Sequence, residues 1–143
     1  MYGFLKNSVN RPSFMLPGIK THATCIRFCP LLLELAEKKD DDETPALIDL
    51  PYRMVFAVAT IEHVILYSTQ SIYPIAVIKN LHYDSINDLA WMNHRTLVIA
   101  SSDGYCSFVG INESVVGHPL PNDSENVPEN LREHFKDLSK VSI

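Results

Sequence analysis

A stretch of sixteen residues recurs 42 positions later, and this recurrence constrains the fold more than anything else in the chain. Residues 54–69, MVFAVATIEHVILYST, align without gaps onto 96–111, TLVIASSDGYCSFVGI. Each copy is an apolar run, a polar turn and a second apolar-rich run, the pattern of an antiparallel hairpin. The expected strands are Val55–Thr60 and Val64–Tyr67 in the first copy, and Leu97–Ser101 and Tyr105–Val109 in the second. Asp103-Gly104 suits the second turn, because Asp and Gly tolerate the positive φ a tight hairpin demands. Ile61-Glu62 stands there in the first copy, so that turn is expected to be wider or strained. Further strands are expected at Ala23–Cys29 and Ile86–Met92, upstream of the two hairpins, and at Pro74–Lys79 after the first.

A period near 42 falls within the roughly 40–45 residues of a WD40 blade. The expected fold class is therefore all-β: a partial WD40 β-propeller of about two and a half antiparallel four-stranded blades, with a polar C-terminal tail. Residues 1–18, with strands at Met1–Lys6 and Arg11–Leu16, read as the end of a preceding blade. Residues 19–81 read as a penultimate blade carrying an acidic loop insertion at 31–50, and 82–112 as a final blade without an obvious fourth strand. In closed propellers the N-terminus usually supplies that strand, and nothing here needs to provide it if the residues after Ile111 leave the propeller. Within the insertion, Leu31–Lys38 has the leucine, alanine and glutamate of a short helix, followed by a solvated loop over Lys38–Glu43. The tail, 113–143, is expected to hold a short helix over 128–140, opened by Pro128, with Leu131, Phe135 and Leu138 on one stripe. A propeller needs at least about four blades to close, so the chain reads as a piece of a longer protein or an incomplete gene product. Alone it is expected to aggregate or remain poorly folded, because of unpaired strand edges and uncovered apolar faces.

Composition excludes several classes. The net charge of -5 argues against a basic surface that grips nucleic acid. The longest apolar stretch, Met54–Tyr67, is interrupted by Thr60, Glu62 and His63 and falls short of the ~20 clean residues of a membrane helix. The N-terminus lacks the layout of a secretion signal, so an intracellular protein is expected. Three cysteines do not make a disulfide framework. Cys25 and Cys29 would stand about 13 Å apart on a strand, too far to bridge or to share a metal, which sets aside a zinc set of His22, Cys25 and Cys29. No metal or cofactor is expected.

The common catalytic signatures, GxSxG, GxxxxGK and HExxH, are missing, and the chain reads as non-enzymatic. A thiol hydrolase built from Cys106 with His82 or His94 is the enzyme alternative; against it, Cys106 alternates within a strand, where packing is its expected duty. His118 and His134 are expected to be solvated.

WD40 blades are often riveted by a histidine before the inner strand, a serine or threonine on the second strand, an aspartate in the next turn and a tryptophan on the third strand. The second copy offers His82, Ser101 (or Ser102) and Asp103, with Phe108 where the tryptophan would stand. Such a network stabilises only when its members are hydrogen-bonded. Trp91 lies on the innermost strand instead, where core packing is expected.

The stretches RPSFMLPG, CIRFCP, LPYRMVFAVAT, VILYSTQ, NLHYDSINDLAW and above all SSDGYCSFV resemble the last blades of the medium, WD40-repeat subunit family of chromatin assembly factor 1, from about Arg11 to Leu120. The resemblance implies a scaffold in a histone H3–H4 chaperone complex that deposits histones on newly replicated or repaired DNA in the nucleus. It implies partners as well: the large subunit, a small WD40 subunit, and a second histone chaperone of the anti-silencing type that takes a basic-hydrophobic motif in the family's tail. Pro121–Ile143 contains no such motif, which puts that contact in doubt. The family's propeller has seven blades, and the first four or so have no counterpart here, so surfaces they build do not carry over. Asp40, Asp41, Asp42 and Glu43 form an acidic run that is either a contact for a basic partner or a plain solvated loop. No membrane association and no direct nucleic-acid binding are expected. The alternative function is that of a WD40 adaptor in another nuclear complex.

Overall fold

The computed structural model describes residues 2–3, 12–37, 44–121 and 124–132. The run Asp40–Glu43 and the tail beyond Arg132 lie outside the described residues. Strands β1 (Tyr2–Gly3) and β2 (Phe14–Met15) pair antiparallel. β3 (Ala23–Phe28), β4 (Val55–Thr60), β5 (His63–Ser68) and β6 (Ser71–Lys79) follow as a four-stranded meander, then β7 (Ile86–Asn93), β8 (Thr96–Ser101) and β9 (Cys106–Gly110) as a three-stranded one. A helical turn, α1 (Glu113–Val116), follows the last strand, and residues 129–132 form another. No helix among the described residues is long and apolar enough to cross a membrane. The architecture is that of consecutive antiparallel propeller blades.

The two meanders stack face to face. Ala57, Ala59, Val64 and Leu66 of the first sheet meet Ile86, Leu89, Leu97 and Ile99 of the second in one buried cluster. The opposite face of β4 and β5 carries Phe56, Val58, Ile65 and Tyr67, which pack under Leu16. Covered on both sides, β4 is buried throughout, which is why its sequence is an unbroken apolar run rather than an alternation. β8 is buried only at Leu97 and Ile99. Its other face, with Val98 opposite the exposed Phe108, has no covering layer among the described residues. Each fully buried Leu or Ile contributes about 1.5–3 kcal/mol, so the shared cluster is what holds the sheets together.

The turns of the two hairpins reverse the expectation. The closing pairs are Ala59 with Val64 and Ala100 with Cys106, which leaves residues 60–63 in the first turn and 101–105 in the second. The first turn is therefore the shorter one. It is also unstrained, because Asn80 is the sole non-glycine residue with positive φ among the described residues. Thr60 replaces Asp-Gly chemistry with its hydroxyl, which accepts the N–H of Glu62 (3.3 Å) and of His63 (3.0 Å). The extra residue in the second turn means that β8 matches β4 one position out of the gapless alignment. Leu97 and Ile99 face backward along the chain as Phe56 and Val58 do, toward the preceding layer in each case. Sequence alignment pairs Ile99 with Ala57 instead, and a one-residue slip swaps faces.

Leu31–Lys38 is not a helix over its described residues, 31–37. Leu33 is extended and bridges Arg53 on one side and Pro119 on the other. Its amide donates to the Arg53 carbonyl and the Arg53 amide donates back, both at 2.9 Å. Glu34 N–H donates to His118 O and Leu120 N–H to Leu32 O, so backbone groups a helix would pair internally are spent on distant chain. Leu33 enters the core between the sheets while Leu32 turns to a third cluster, an opposition that suits an extended chain and not one helical stripe.

The described residues from 112 to 121 and 124 to 131 include ones packed against the rest of the chain. Asn112 caps α1, its side chain accepting the Ser114 N–H at 3.1 Å, and Val116 is fully buried. The chain then runs back along 32–34 and buries Val127 against Leu32 and Tyr52, with Leu120 and Leu131 alongside. Pro128 opens a helical turn, its carbonyl accepting the N–H groups of Leu131 and Arg132; the remainder of the expected helix over 128–140 lies outside the described residues.

Candidate functional site

The polar groups that the sequence singles out gather at the turn between β8 and β9. Asp103 Oδ2 lies 3.0 Å from His82 Nδ1 and accepts the Tyr83 N–H at 3.1 Å. Its Oδ1 accepts the Tyr105 N–H at 3.0 Å. The side chains of His82 and Asp103 are only 3% and 10% exposed. Burial pushes the Asp103 carboxyl upward, but the Tyr105 N–H, the His82 ring and the Tyr83 N–H outweigh it and hold the group below the usual carboxylate range. Ser101 joins through the backbone: its hydroxyl accepts the Asp103 N–H at 3.3 Å and donates to the Asp84 carbonyl at 3.1 Å. Ser102 turns to Asn87 instead. His82 Nε2 is buried with no hydrogen-bond partner among the described residues.

The tryptophan position of the rivet is not filled in kind, because Phe108 points to the uncovered face and is exposed. Trp91 is half-buried against the core between the sheets, and its ring N–H donates to the Arg27 carbonyl at 3.0 Å. An Arg27–Asp88 ion pair at 2.7 Å adds a second link between the innermost strands β3 and β7; both partners are about half exposed, so it contributes little.

The turn presents two tyrosines. Both amides flanking the Asp103 carboxylate belong to exposed residues, Tyr83 and Tyr105. Beside Tyr83, a cleft of about 490 Å³ is lined by Glu62, His63, Asn80, His82 and Asp84 among others. No lysine or arginine lines it. Sequence reasoning found His82, Ser101 and Asp103 from blade chemistry but passed over Tyr83, whose signal was its place next to His82.

The cysteines do not converge. Cys29 is buried, and burial pushes its thiol up to about 11; Cys25 is half-buried and is raised by burial first and by the nearby Asp88 second. No group of three or more metal-binding side chains occurs among the described residues. Cys106 is exposed, contrary to the packing role expected of it, because it shares the uncovered face of β9 with Phe108. His94 is lowered by burial and by the Arg95 cation, with Glu113 opposing. His118 is exposed yet paired, its Nδ1 lying 3.0 Å from Glu113 Oε1.

Residues 1–116 match the family model described as the CAF1B/HIR1 beta-propeller domain. The chain belongs to this family. It is 38% identical over 125 residues to a chromatin assembly factor 1 subunit of Mus musculus, covering 83% of this chain and 22% of the relative. It is 40% identical over 103 residues to the subunit of the same name in Saccharomyces cerevisiae, covering 71% of this chain and 20% of the relative. With the chromatin assembly factor 1 subunit FAS2 homolog of Oryza sativa subsp. japonica it shares 34% identity over 119 residues, 82% of this chain and 23% of that one. The chain thus spans about a fifth of the length of the curated relatives it matches. Within the CAF1B/HIR1 propeller, the stretch SSDGYCSFV is the one that builds β8's end, the Asp103 turn and β9.

Proposed function

We propose that the chain is a non-enzymatic scaffold segment of a histone H3–H4 chaperone complex of the chromatin assembly factor 1 type, acting in the nucleus in replication- or repair-coupled nucleosome assembly. The observation that carries this reading is the use made of the most buried ion pair among the described residues. His82 and Asp103 are consumed in fixing a turn that displays two exposed tyrosines, an arrangement for docking and not for turnover. Names of the relatives support the same reading, since they are subunits of chromatin assembly factor 1.

In this reading the four-stranded and three-stranded sheets are the penultimate and final blades, and His82, Ser101 and Asp103 are the rivet of the latter. The partners are histones H3–H4 and the large and small subunits of the complex. Asp40–Glu43 supplies four adjacent carboxylates for a basic partner. Contact with an anti-silencing-type chaperone is not part of the proposal, because residues 121–143 lack the basic-hydrophobic motif. Affinity purification of the tagged protein from nuclei tests it: co-recovery of H3–H4 with the large subunit is expected, and recovery of neither, with a different set of nuclear partners, overturns it in favour of an adaptor in another complex.

A further inference from the structure

We infer that the cleft beside Tyr83 binds a lysine or arginine side chain of a basic protein segment. This deepens the proposed chaperone role and rests on it for the nature of the partner. Its groups are those a cation requires. Glu62 and Asp84 bring two carboxylates to the wall, and no lysine or arginine lines it among the described residues; Lys20 and Lys79 stand with Glu62 on the neighbouring cleft. Tyr83 is fully exposed beside them, offering a ring face to which a cation is attracted. The backbone that carries the ring is held from behind, since the Tyr83 amide is bonded to Asp103 and the Asp84 carbonyl to Ser101.

His82 supplies the second, independent observation. Its side chain lines the cleft wall and is 3% exposed, with Nε2 lacking a partner among the described residues. Nδ1 faces the Asp103 carboxylate, and in the tautomer that carries its proton there Nε2 is an acceptor. A cleft with two carboxylates and an aromatic wall fits a ligand that has N–H groups to donate and a positive charge, which describes an ammonium or a guanidinium and not an acidic peptide. His63 lies at the rim, 3.7 Å from Glu62.

Fluorescent oligolysine and oligoarginine peptides, with acetylated oligolysine as the uncharged control, test the cleft on the assembled complex. Both charged peptides or one of them should bind, the difference telling ammonium from guanidinium, and the acetylated peptide should not. Paired Glu62→Lys and Asp84→Lys substitution should weaken binding by about tenfold. Tyr83→Leu should weaken it by about threefold, with Tyr83→Phe restoring it. Assembly with the large subunit reports folding; if the charge reversals fail to assemble, Glu62→Gln with Asp84→Asn carries the same test at smaller effect. Equal binding by wild type and assembled variants, or no binding of charged peptide by wild type, overturns the inference. Peptide binding without recovery of H3–H4 leaves the cleft standing and removes the chaperone reading; recovery of H3–H4 with unchanged peptide binding does the reverse.

Discussion

Arg53 Nη1 donates to the carbonyl of Val116 at 3.1 Å across 63 positions of sequence, and the guanidinium thereby ends the helical turn that follows the last strand. Nη2 takes the neighbouring Val115 carbonyl at 3.0 Å. A cation at the C-terminal end of a helix satisfies carbonyls that have no partner within it. Arg53 is buried, and burial holds its pKa below the usual guanidinium value. Arg53→Met keeps the stem's packing but strands both carbonyls, so a loss of about 1–3 kcal/mol is expected. Amide hydrogen exchange should show Gly117, Glu34 and Leu120, whose N–H groups donate to Glu113, His118 and Leu32, losing protection while β4 keeps its own; uniform protection in the variant would count against the capping role.

Gly117 is tied to the same contact. Its φ is +91°, and a Cβ built there would lie 3.3 Å from Arg53 Nη1. Gly117→Ala therefore meets backbone strain of about 1–2 kcal/mol and presses on the capping group. Thermal melts should place it below wild type, and combining it with Arg53→Met should cost less than the sum of the two, because the substitutions share one contact.

The Asp103 turn makes a pH prediction with a definite sign. A carboxyl held below its ordinary range in the folded state contributes stability that is fully present above the unfolded value, near 4, and is lost as pH falls through the folded value. Wild type should therefore lose stability with acid more steeply than Asp103→Asn, which starts lower at neutral pH but cannot titrate there. Chemical-denaturation midpoints measured from pH 6 downward check this, and parallel profiles for the two proteins would show that the Asp103 contacts contribute nothing.

Strand positions were legible because β4 and β5 are short unbroken apolar runs, and β8 and β9 apolar-rich segments, each bounded by turn residues. Which face each residue takes was not, since the gapless alignment hides the longer turn at 101–105 and a single residue decides the face. The helix expected at Leu31–Lys38 rested on local propensity, which tertiary bonds from Leu33 to Arg53 and Pro119 override. Return of residues 112–131 onto the insertion was equally hidden. Its anchors, Leu32, Tyr52 and Val127, lie far apart in sequence and form no periodic pattern. The site divides in the same way. His82, Ser101 and Asp103 were found from the chemistry of a blade turn, whereas the cleft beside Tyr83 depends on Glu62 arriving from another sheet.

The uncovered face of the second sheet yields the last prediction. Phe108 is 67% and Met92 63% exposed, and Val98 lies between the strands that carry them, opposite Phe108. Apolar surface of this kind, next to an outer strand with unpaired backbone groups at β9, promotes association of identical chains. The 143 residues expressed alone should therefore self-associate at micromolar concentration. Phe108→Lys places a charge on that face without touching the buried cluster at Leu97 and Ile99, so it should shift sedimentation toward the monomer with little change in the circular-dichroism spectrum. If Phe108→Lys associates as wild type does, the backbone edge of β9 is the driving surface. The Ser101 N–H donates to the Tyr105 carbonyl and the Ile111 N–H to the Arg95 carbonyl, which turns the odd-numbered amides of β9 toward β8 and the even-numbered ones outward. Cys106→Pro removes one of those outward N–H groups and leaves the bonds to β8 in place, so it should then be the substitution that disperses the chains.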